Sequence, residues 1–509
     1  MTPTTAGGPA AAPPPASPSP SPGTPPRSEW TSFTGDRRSA PGGSEVPLLD
    51  PATGDRWGTA WQDPAAVDLA VAAARGALRS PSWAGLPQHA RADLLYRLGD
   101  VLAAHGDELA ALETRANGKP LTATRGEVAA LVRWYRYFAA VAETLEDRSR
   151  TLSATASAVI REEPLGVVAA LTPFNGALSL GSWKLAPALA AGNTVVLKPP
   201  PQAPASSVRL AELALEAGFP PGVVTTVIGG AAEARRLTEH PDVAMVTFTG
   251  STAVARVLGA LAAARMKRFV CEAGGKSAHL VFADGDLDAA VTAARQGAFS
   301  AAGQTCVAGS RLLVEESVYD EFLARFAASV EGLRVGDPRD PGTHVGPLAS
   351  AAALERVESY VAGAVRDGAR VLTGGRRPDS NGGFWYRPTV LAGVRADMAV
   401  CREEVFGPVA TVQSFSGEDE AVALANSLEY GLAAGLWTRD ASRAHRVAAR
   451  LEAGVVWVNT YRLLHWSVPF GGHKQSGLGR ENGVEAVREF LQTKSVVTEH
   501  GTPADPFAG

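Results

Sequence analysis

Apolar and polar positions along the chain change their period several times, and each change marks a different kind of element. Between about Asp63 and Leu145 the spacing is helical, with Ala/Leu-rich runs at 65–78 and 91–113. Asp63 followed by Pro64 indicates the start of the first helix, because Asp caps helix N-termini and proline fits the first turn. Residues 153–161 then predict an exposed strand.

From residue 166 to about residue 250, short apolar runs alternate with helical segments. Strands are predicted at 166–171, 194–197, 223–228 and 245–248, and helices at 182–191, 206–217 and 232–239. The alternation resumes after Ser277, with strands at 279–282 and 311–315 and helices at 287–302 and 319–333. Such alternation is typical of βαβ units around a parallel sheet, where ligands bind at the carboxyl ends of the strands. We therefore expect two α/β domains.

Composition narrows the class of protein. A chain of 509 residues implies more than one domain, and a net charge of −4 gives no reason to expect nucleic acid or an anionic membrane as partner. No apolar run approaches the roughly 18 residues of a membrane span. Three cysteines form no disulfide framework, and no signal peptide is visible, so the expected location is cytoplasmic. Residues 1–45 are rich in Pro, Ala and Ser and are predicted to be a disordered tail.

Cys306 is the strongest candidate for chemistry. It lies in Gly303-Gln304-Thr305-Cys306, after the predicted helix 287–302, and Glu272 lies upstream in Glu272-Ala273-Gly274-Gly275. A lone cysteine is more often an inert packing residue, and we place Cys271 and Cys401 in that class. A candidate nucleophile and a candidate base, each in a glycine-rich setting, indicate a covalent mechanism.

Other unusual residues follow the predicted strands. Asn175 ends Thr172-Pro173-Phe174-Asn175 and could form a turn or donate to an oxyanion. Lys198 ends the second strand, where it could be solvated or hold a ribose hydroxyl or a phosphate. Phe248-Thr249-Gly250-Ser251-Thr252 precedes a helix and suits a pyrophosphate, although the Gly-x-Gly-x-x-Gly fingerprint is absent. Glu404 lies before a fixed Gly407-Pro408 turn.

Taken in order, these motifs resemble the aldehyde dehydrogenase superfamily from about Asp50 to about Val497. The resemblance also rests on Trp183-Lys184, residues 187–194, Pro469-Phe470-Gly471-Gly472, Ser476-Gly477 and Gly479-Arg480-Glu481. It implies an α/β fold with a Rossmann-like parallel-sheet cofactor domain, an α/β catalytic domain and a small β oligomerisation arm. The implied boundaries are 46–145 and 165–274 for the NAD(P)-binding domain, 275–474 for the catalytic domain, and 146–164 with 475–503 for the arm and C-terminal strand.

The resemblance also implies a reaction, the oxidation of an aldehyde to a carboxylic acid with NAD(P). Cys306 would attack the aldehyde carbon, while Asn175 and the Cys306 backbone N–H form the oxyanion hole. Hydride would leave the hemithioacetal for the nicotinamide, and water activated by Glu272 would hydrolyse the thioester. The chemistry agrees, because an aldehyde gives up hydride readily only after a nucleophile has made it tetrahedral.

Cofactor roles follow from the same resemblance. Lys198 would hold the adenosine ribose, Ser251 the pyrophosphate and Glu404 the nicotinamide ribose, with Phe406 against the nicotinamide. The residues expected to line the cofactor cleft are Thr172, Pro173, Phe174, Gly230, Gly250 and Ala273. Pro201 stands where many NAD-preferring members carry a glutamate, whose carboxylate would accept the ribose diol and repel a 2′-phosphate. Cofactor preference between NAD and NADP therefore stays open, with NAD slightly favoured.

The substrate pocket is expected to involve Gly176, Leu180, Trp183, Ser300, Thr305, Val307 and Trp466. Small residues at Gly176 and Ser300 suggest a roomy, moderately polar pocket. Trp183 and Trp466 could instead be ordinary packing, and Arg462 or His465 could meet an anionic substrate end or simply face solvent. Self-association as a homodimer or homotetramer is expected by analogy.

Two other functions stay open at this point. The first is a CoA-acylating relative, although such enzymes would generally lack Glu272. The second is an inactive protein that keeps the fold, although it would not need Cys306, Glu272 and Asn175 together.

Overall fold

An eight-stranded sheet forms the framework of the cofactor half in the computed structural model, which describes residues 27–379, 382–502 and 507. The strands, in spatial order, are Gly477–Leu478, Arg268–Glu272, Val243–Thr249, Val167–Leu171, Thr194–Lys198, Val224–Thr226, Phe33–Thr34 and Arg37–Arg38. The central five pair in parallel, as predicted. Helices on both sides bury these strands, which is why they read as continuous apolar runs.

Helices from two parts of the chain belong to this half. The first group is Ala65–Arg79, Pro81–Ala84, Gln88–Ala104, Gly106–Asn117 and Leu121–Glu143, and the second is Ala177–Ala190, Ala205–Glu216, Ala231–Glu239 and Thr252–Ala263. The single helix predicted at 91–113 is wrong in one respect, since His105 leaves helical geometry and glycine follows it. Among the described residues, no helix combines the length and apolar character of a membrane span.

A seven-stranded sheet forms the second half. Its strands, in spatial order, are Arg370–Thr373, Thr389–Ala392, Val409–Phe415, Arg311–Glu315, Ala278–Val281, Ala433–Trp437 and Val455–Val458. Its helices are Leu287–Phe299, Tyr319–Glu331, Ala351–Arg366, Ala399–Arg402, Gly417–Asn426 and Ala441–Arg450, and Gly483–Glu489 follows near the C-terminus. All of its pairings except the first are parallel. The expectation of two α/β units is confirmed.

A small antiparallel sheet stands apart from both halves. It contains Leu491–Glu499, Ala156–Pro164 and Arg148–Thr151. The strand Leu491–Glu499 is exposed along nearly its whole length, and Val497 is 64% exposed. One predicted boundary is wrong, because Gly477–Leu478, assigned to the arm, pairs instead with the cofactor sheet at Arg268–Glu272. That the arm mediates self-association stays a prediction.

The prediction of a disordered tail over residues 1–45 is partly wrong. Residues 1–26 lie outside the described residues, but from residue 27 the prediction of disorder is wrong. The segment forms the strands Glu29–Trp30, Phe33–Thr34, Arg37–Arg38 and Ser44–Leu49, and Arg56–Gln62 joins the first and last of these in a three-stranded sheet. Trp30 and Phe33 are buried at 2% and 4% exposure. A few aromatic residues supply the apolar surface that the average composition conceals.

Candidate active site

The candidate site lies where parallel strands of the cofactor sheet end. Leu171 pairs with Lys198 and Thr249 pairs with Glu272, so these strands finish at one edge of the sheet. Polar side chains there follow the rule that open α/β sheets bind ligands outside the carboxyl ends of their strands.

The loop that carries Cys306 is sharply bent. The predicted helix 287–302 ends at Phe299, and a 3-10 turn follows in which Ala301 and Ala302 take φ values of 53° and 54°. Gly303 also has positive φ, and a Cβ there would lie 2.1 Å from the Gly407 carbonyl oxygen. Only glycine therefore fits this position. The bend leaves Cys306 half-buried at the end of the turn.

Asn175 is brought directly to this loop. It sits in the 3-10 turn Phe174–Gly176, and its Nδ2 donates to the Gln304 carbonyl oxygen at 2.9 Å. Gln304 is itself fixed, since its Oε1 accepts from the Ala349 N–H at 2.9 Å. The structure thus brings Asn175 to the loop that carries Cys306, with a carboxamide donor beside that loop.

Glu272 is a buried carboxyl with one free oxygen. Its Oε2 accepts from the Gly472 N–H at 3.2 Å, whereas its Oε1 has no hydrogen-bond partner in the described part of the chain. Burial raises the pKa of Glu272 well above its usual range, and Glu481 raises it further while Lys184 opposes it. A side chain on Gly471 would come within 2.8 Å of Oε1. This environment suits a group that accepts a proton near neutral pH.

A buried ion pair supports that carboxyl. Lys184 Nζ donates to Glu481 Oε1, and both residues are at most 4% exposed. Sequence reasoning quoted both residues but assigned them no role. A lysine inside the apolar helix Ala177–Ala190 was a usable signal, because lysine is almost never fully buried unless it is paired.

The surroundings of the Cys306 thiol favour its neutral form. Burial is the largest cause of a pKa raised to about 12, to which Glu404 and Glu272 also contribute and which Arg462 opposes. A thiolate is the reactive species, so the cationic side chain of Arg462 favours the active form.

Arg462 occupies a clamped loop. The preceding Tyr461 donates through its hydroxyl to the Val307 carbonyl oxygen at 3.1 Å, and its ring would lie within 3 Å of a Cβ at Gly297 or Gly435. Arg462 itself has φ of 60° and is half-buried, with no carboxylate within 4 Å among residues 27–379 and 382–502. It is therefore not a freely solvated loop charge. His465, by contrast, is exposed and contacts Ser467 Oγ at 2.7 Å.

The predicted adenosine side of the cofactor cleft is built around Lys198. Its Nζ donates to the Gly229 carbonyl oxygen at 2.5 Å, and burial lowers its pKa to about 8. Ser251 caps the helix Thr252–Ala263 by accepting from the Val254 N–H at 3.4 Å. The preceding Gly250 packs so closely on Phe248 that a Cβ would lie 2.4 Å from the ring. A capped helix N-terminus and a lysine at the same edge of the sheet fit a pyrophosphate and a ribose.

The predicted nicotinamide side contains Glu404, Phe406 and Phe174. Glu404 Oε1 accepts from the Gly275 N–H at 3.2 Å, and burial raises the pKa of this carboxyl to about 7. Phe406 has φ of 57°, and its ring meets Phe174 edge-on at 5.8 Å. The remaining predicted lining residues also lie at strand or helix ends: Thr172 and Pro173 follow Val167–Leu171, Gly230 caps Ala231–Glu239, and Ala273 donates to Ser476 O at 2.7 Å.

Predicted substrate residues fall into two groups. Trp183 stacks on Trp134 at 5.5 Å, and Trp466 meets the same Trp134 ring edge-on at 5.6 Å. The two predicted tryptophans therefore share one aromatic cluster, whose central member, Trp134, sequence reasoning missed because an isolated helical tryptophan carries no local signal. Thr305 and Val307 flank Cys306 in the chain.

The other predicted pocket residues lie as follows. Gly176 and Leu180 are in contact, since a Cβ at Gly176 would be 3.2 Å from Leu180 Cγ. Ser300 donates to Gln296 O at 2.7 Å and lines a cavity of about 310 Å³ that also contains Thr122 and Thr343.

Comparisons with known proteins point to one family. The model of the aldehyde dehydrogenase family matches residues 38–496. An aldehyde dehydrogenase of Emericella nidulans is 42% identical, over 84% of this chain and 86% of that protein. A phenylacetaldehyde dehydrogenase of Pseudomonas fluorescens is also 42% identical, over 88% of this chain and 92% of that protein. The crystal structure of an NAD-dependent aldehyde dehydrogenase from Sinorhizobium meliloti superposes with a TM-score of 0.93 at 38% identity, covering 94% of this chain and 97% of that one.

Proposed function

Because this chain belongs to the aldehyde dehydrogenase family, we propose that it oxidises an aldehyde to the carboxylic acid through a thioester on Cys306, with NAD or NADP. The observation that carries the proposal is the convergence of three groups on one loop. Asn175 is hydrogen-bonded to the backbone two residues before Cys306. The loop that follows Glu272 packs on the same segment, since a Cβ on Gly275 would lie 2.5 Å from the Cys306 carbonyl oxygen. A nucleophile, an oxyanion donor and a base within one site are the requirements of covalent acyl chemistry.

Each residue has a distinct task in the proposed mechanism. Cys306 releases its proton to solvent and attacks the aldehyde carbon as the thiolate. The Asn175 amide and the Cys306 N–H stabilise the oxyanion of the hemithioacetal. When bound, the oxidised nicotinamide supplies the hydride acceptor. The free Oε1 of Glu272 then takes a proton from the water that hydrolyses the thioester, which releases the acid and restores the thiol.

The residues proposed to hold the cofactor fit its parts. Lys198 and the helix N-terminus at Ser251 present donors for the ribose and pyrophosphate, and Glu404 offers a carboxylate for the second ribose. Phe406 and Phe174 form an apolar wall for the nicotinamide. The substrate would reach Cys306 past the aromatic cluster of Trp134, Trp183 and Trp466.

The domain roles form part of the same proposal. Residues 46–145 and 165–274 would bind the cofactor, 275–474 would carry the nucleophile, and the exposed arm strands would join copies of this chain into a homodimer or homotetramer. We propose a cytoplasmic location for the enzyme.

The first test is reduced-nicotinamide formation with aliphatic, aromatic and charged aldehydes, phenylacetaldehyde among them, with NAD and NADP in parallel. Cys306→Ala should abolish turnover. Glu272→Gln should still transfer hydride once per site and then stall, because the thioester is not hydrolysed. Intact-protein mass spectrometry should detect the acyl group on Cys306 in that variant.

Two results would contradict the mechanism. One is steady turnover by Cys306→Ala at the parent rate. The other is stimulation of the parent enzyme by coenzyme A with release of the acyl thioester, which would favour the acylating alternative.

A further inference from the structure

Glu233 is a buried carboxylate beside the proposed adenosine ribose site, and no role has been assigned to it. It lies in the first turn of Ala231–Glu239 and is 1% exposed. Its Oε2 accepts from the Gly230 N–H at 2.7 Å. Its Oε1 is buried with no hydrogen-bond partner among the residues described.

One peptide unit connects Glu233 with Lys198. The Gly229 carbonyl oxygen accepts from Lys198 Nζ at 2.5 Å, and the N–H of the same peptide bond donates to Glu233. The two charged side chains therefore lie at opposite ends of one peptide plane. Glu233 also opposes the lowering of the Lys198 pKa that burial causes.

Glycine at position 229 makes this arrangement possible. A Cβ on Gly229 would lie 2.4 Å from both Cβ and Cγ of Glu233, so any other residue would displace the carboxylate. The close approach fixes the side chain over the turn that enters the helix, next to the lysine proposed to hold the ribose.

Helix capping provides a hydrogen-bond partner for only one of the two oxygens of Glu233. The bond from Gly230 to Oε2 is one side of a capping box, which stabilises the helix start. Capping leaves Oε1 unsatisfied, and a buried charged oxygen without a partner is costly. A hydroxyl donor from a bound ligand would remove that cost.

We propose that Glu233 distinguishes NAD from NADP in this protein. In many NAD-preferring family members a glutamate at the position of Pro201 would do so. The free oxygen of Glu233 accepts a hydrogen bond from the adenosine ribose diol, and its charge repels a 2′-phosphate. The protein therefore prefers NAD over NADP although Pro201 offers no carboxylate. This inference rests on the proposed function, because it requires that Lys198 binds the ribose.

The test is equilibrium binding of NAD and NADP, followed by quenching of tryptophan fluorescence, which needs no aldehyde. Glu233→Gln keeps an amide oxygen for the Gly230 N–H, so the cap is retained while the charge is lost. The ratio of the two dissociation constants is expected to move toward NADP by about tenfold or more, as expected for losing a hydrogen bond to a charged acceptor. Glu239→Gln, at the other end of the same helix, removes the same charge and should leave the ratio unchanged.

A second variant keeps the inference testable if Glu233→Gln does not fold. Pro201→Glu in the parent protein should improve the preference for NAD by less than about threefold, since a carboxylate already serves the diol. A tenfold gain would overturn the inference, as would an unchanged ratio in Glu233→Gln or an equal shift in Glu239→Gln. Failure of the parent protein to bind either cofactor would refute the proposed function together with the inference, whereas binding of both with no effect of Glu233 would refute the inference alone.

Discussion

Replacing Lys184 by Met is expected to lower the free energy of unfolding by about 3–5 kcal/mol, because it leaves a carboxylate buried without its cation. Lys184 is 1% exposed and its partner Glu481 is 4% exposed. The second oxygen of Glu481 already has no hydrogen-bond partner within the described residues. Met keeps the length and apolar stem of the side chain, so the loss reflects charge rather than a cavity.

The measurement is the apparent melting temperature at pH 8, compared with a matched change at the surface. For a unit of about 200 residues, 1 kcal/mol corresponds to roughly 2–4 °C, so Lys184→Met should lower the melting temperature by about 10 °C. Arg235→Met removes a cation from the exposed pair with Glu239 and should cost at most about 0.5 kcal/mol.

A double variant separates the ion pair from other effects of Lys184. Lys184→Met with Glu481→Gln removes both charges and should recover most of the lost stability, because no unpaired charge stays buried. Lys184 also opposes the raised pKa of Glu272, so the single variant should need higher pH for thioester hydrolysis. The reasoning is refuted if Lys184→Met lowers the melting temperature no more than Arg235→Met does.

Three further predictions concern single residues. Arg462→Gln should raise the apparent pKa of Cys306, measured as the rate of iodoacetamide alkylation against pH, and Arg462→Lys should restore part of the parent value. Equal pH profiles in the parent and in Arg462→Gln would exclude a role for this cation. Glu272→Gln should have a higher melting temperature than the parent at pH values above the raised pKa of Glu272 in the folded protein. The difference should vanish below the ordinary pKa of a carboxyl group, because the folded and unfolded forms then both hold the proton. A difference in melting temperature that does not depend on pH would contradict this. Trp30→Ala should cost about 3–5 kcal/mol by calorimetry if the N-terminal strands belong to the core, and an unchanged melting temperature would argue against it.

The central strands of both sheets were predictable because each is a short apolar run between helical segments. The edge strands were not, because pairs of residues such as Phe33–Thr34 and Gly477–Leu478 are too short to show any period. Their positions depend on which sheet edge is available, and that is decided by tertiary packing. The burial of Trp30 was missed for a related reason, since the composition of residues 1–45 was averaged over the whole segment.

The candidate site residues also divide into those visible from a local sequence pattern and those visible only from tertiary contacts. Cys306, Glu272 and Asn175 could be chosen as candidates because each stands at or just beyond the end of a recognisable strand or helix, close to glycine or proline. The partnership of Lys184 with Glu481 joins residues 297 positions apart, and no local pattern links them. Glu233 looked like an ordinary charge in a helical first turn until the structure showed it buried against Gly229.

The separation of the site residues along the chain has a consequence for how activity depends on stability. Asn175 comes from the cofactor half, Cys306 from the second half, and the peptide of Gly472 that fixes Glu272 from a segment near the C-terminus. These groups come together only when the contacts between the three regions have formed, and Lys184 and Glu481 supply a buried contact between the cofactor half and the segment near the C-terminus. A substitution at such a contact can therefore abolish chemistry while touching neither substrate nor cofactor. The size of its effect on turnover should follow its effect on the geometry of Glu272, rather than its distance from Cys306.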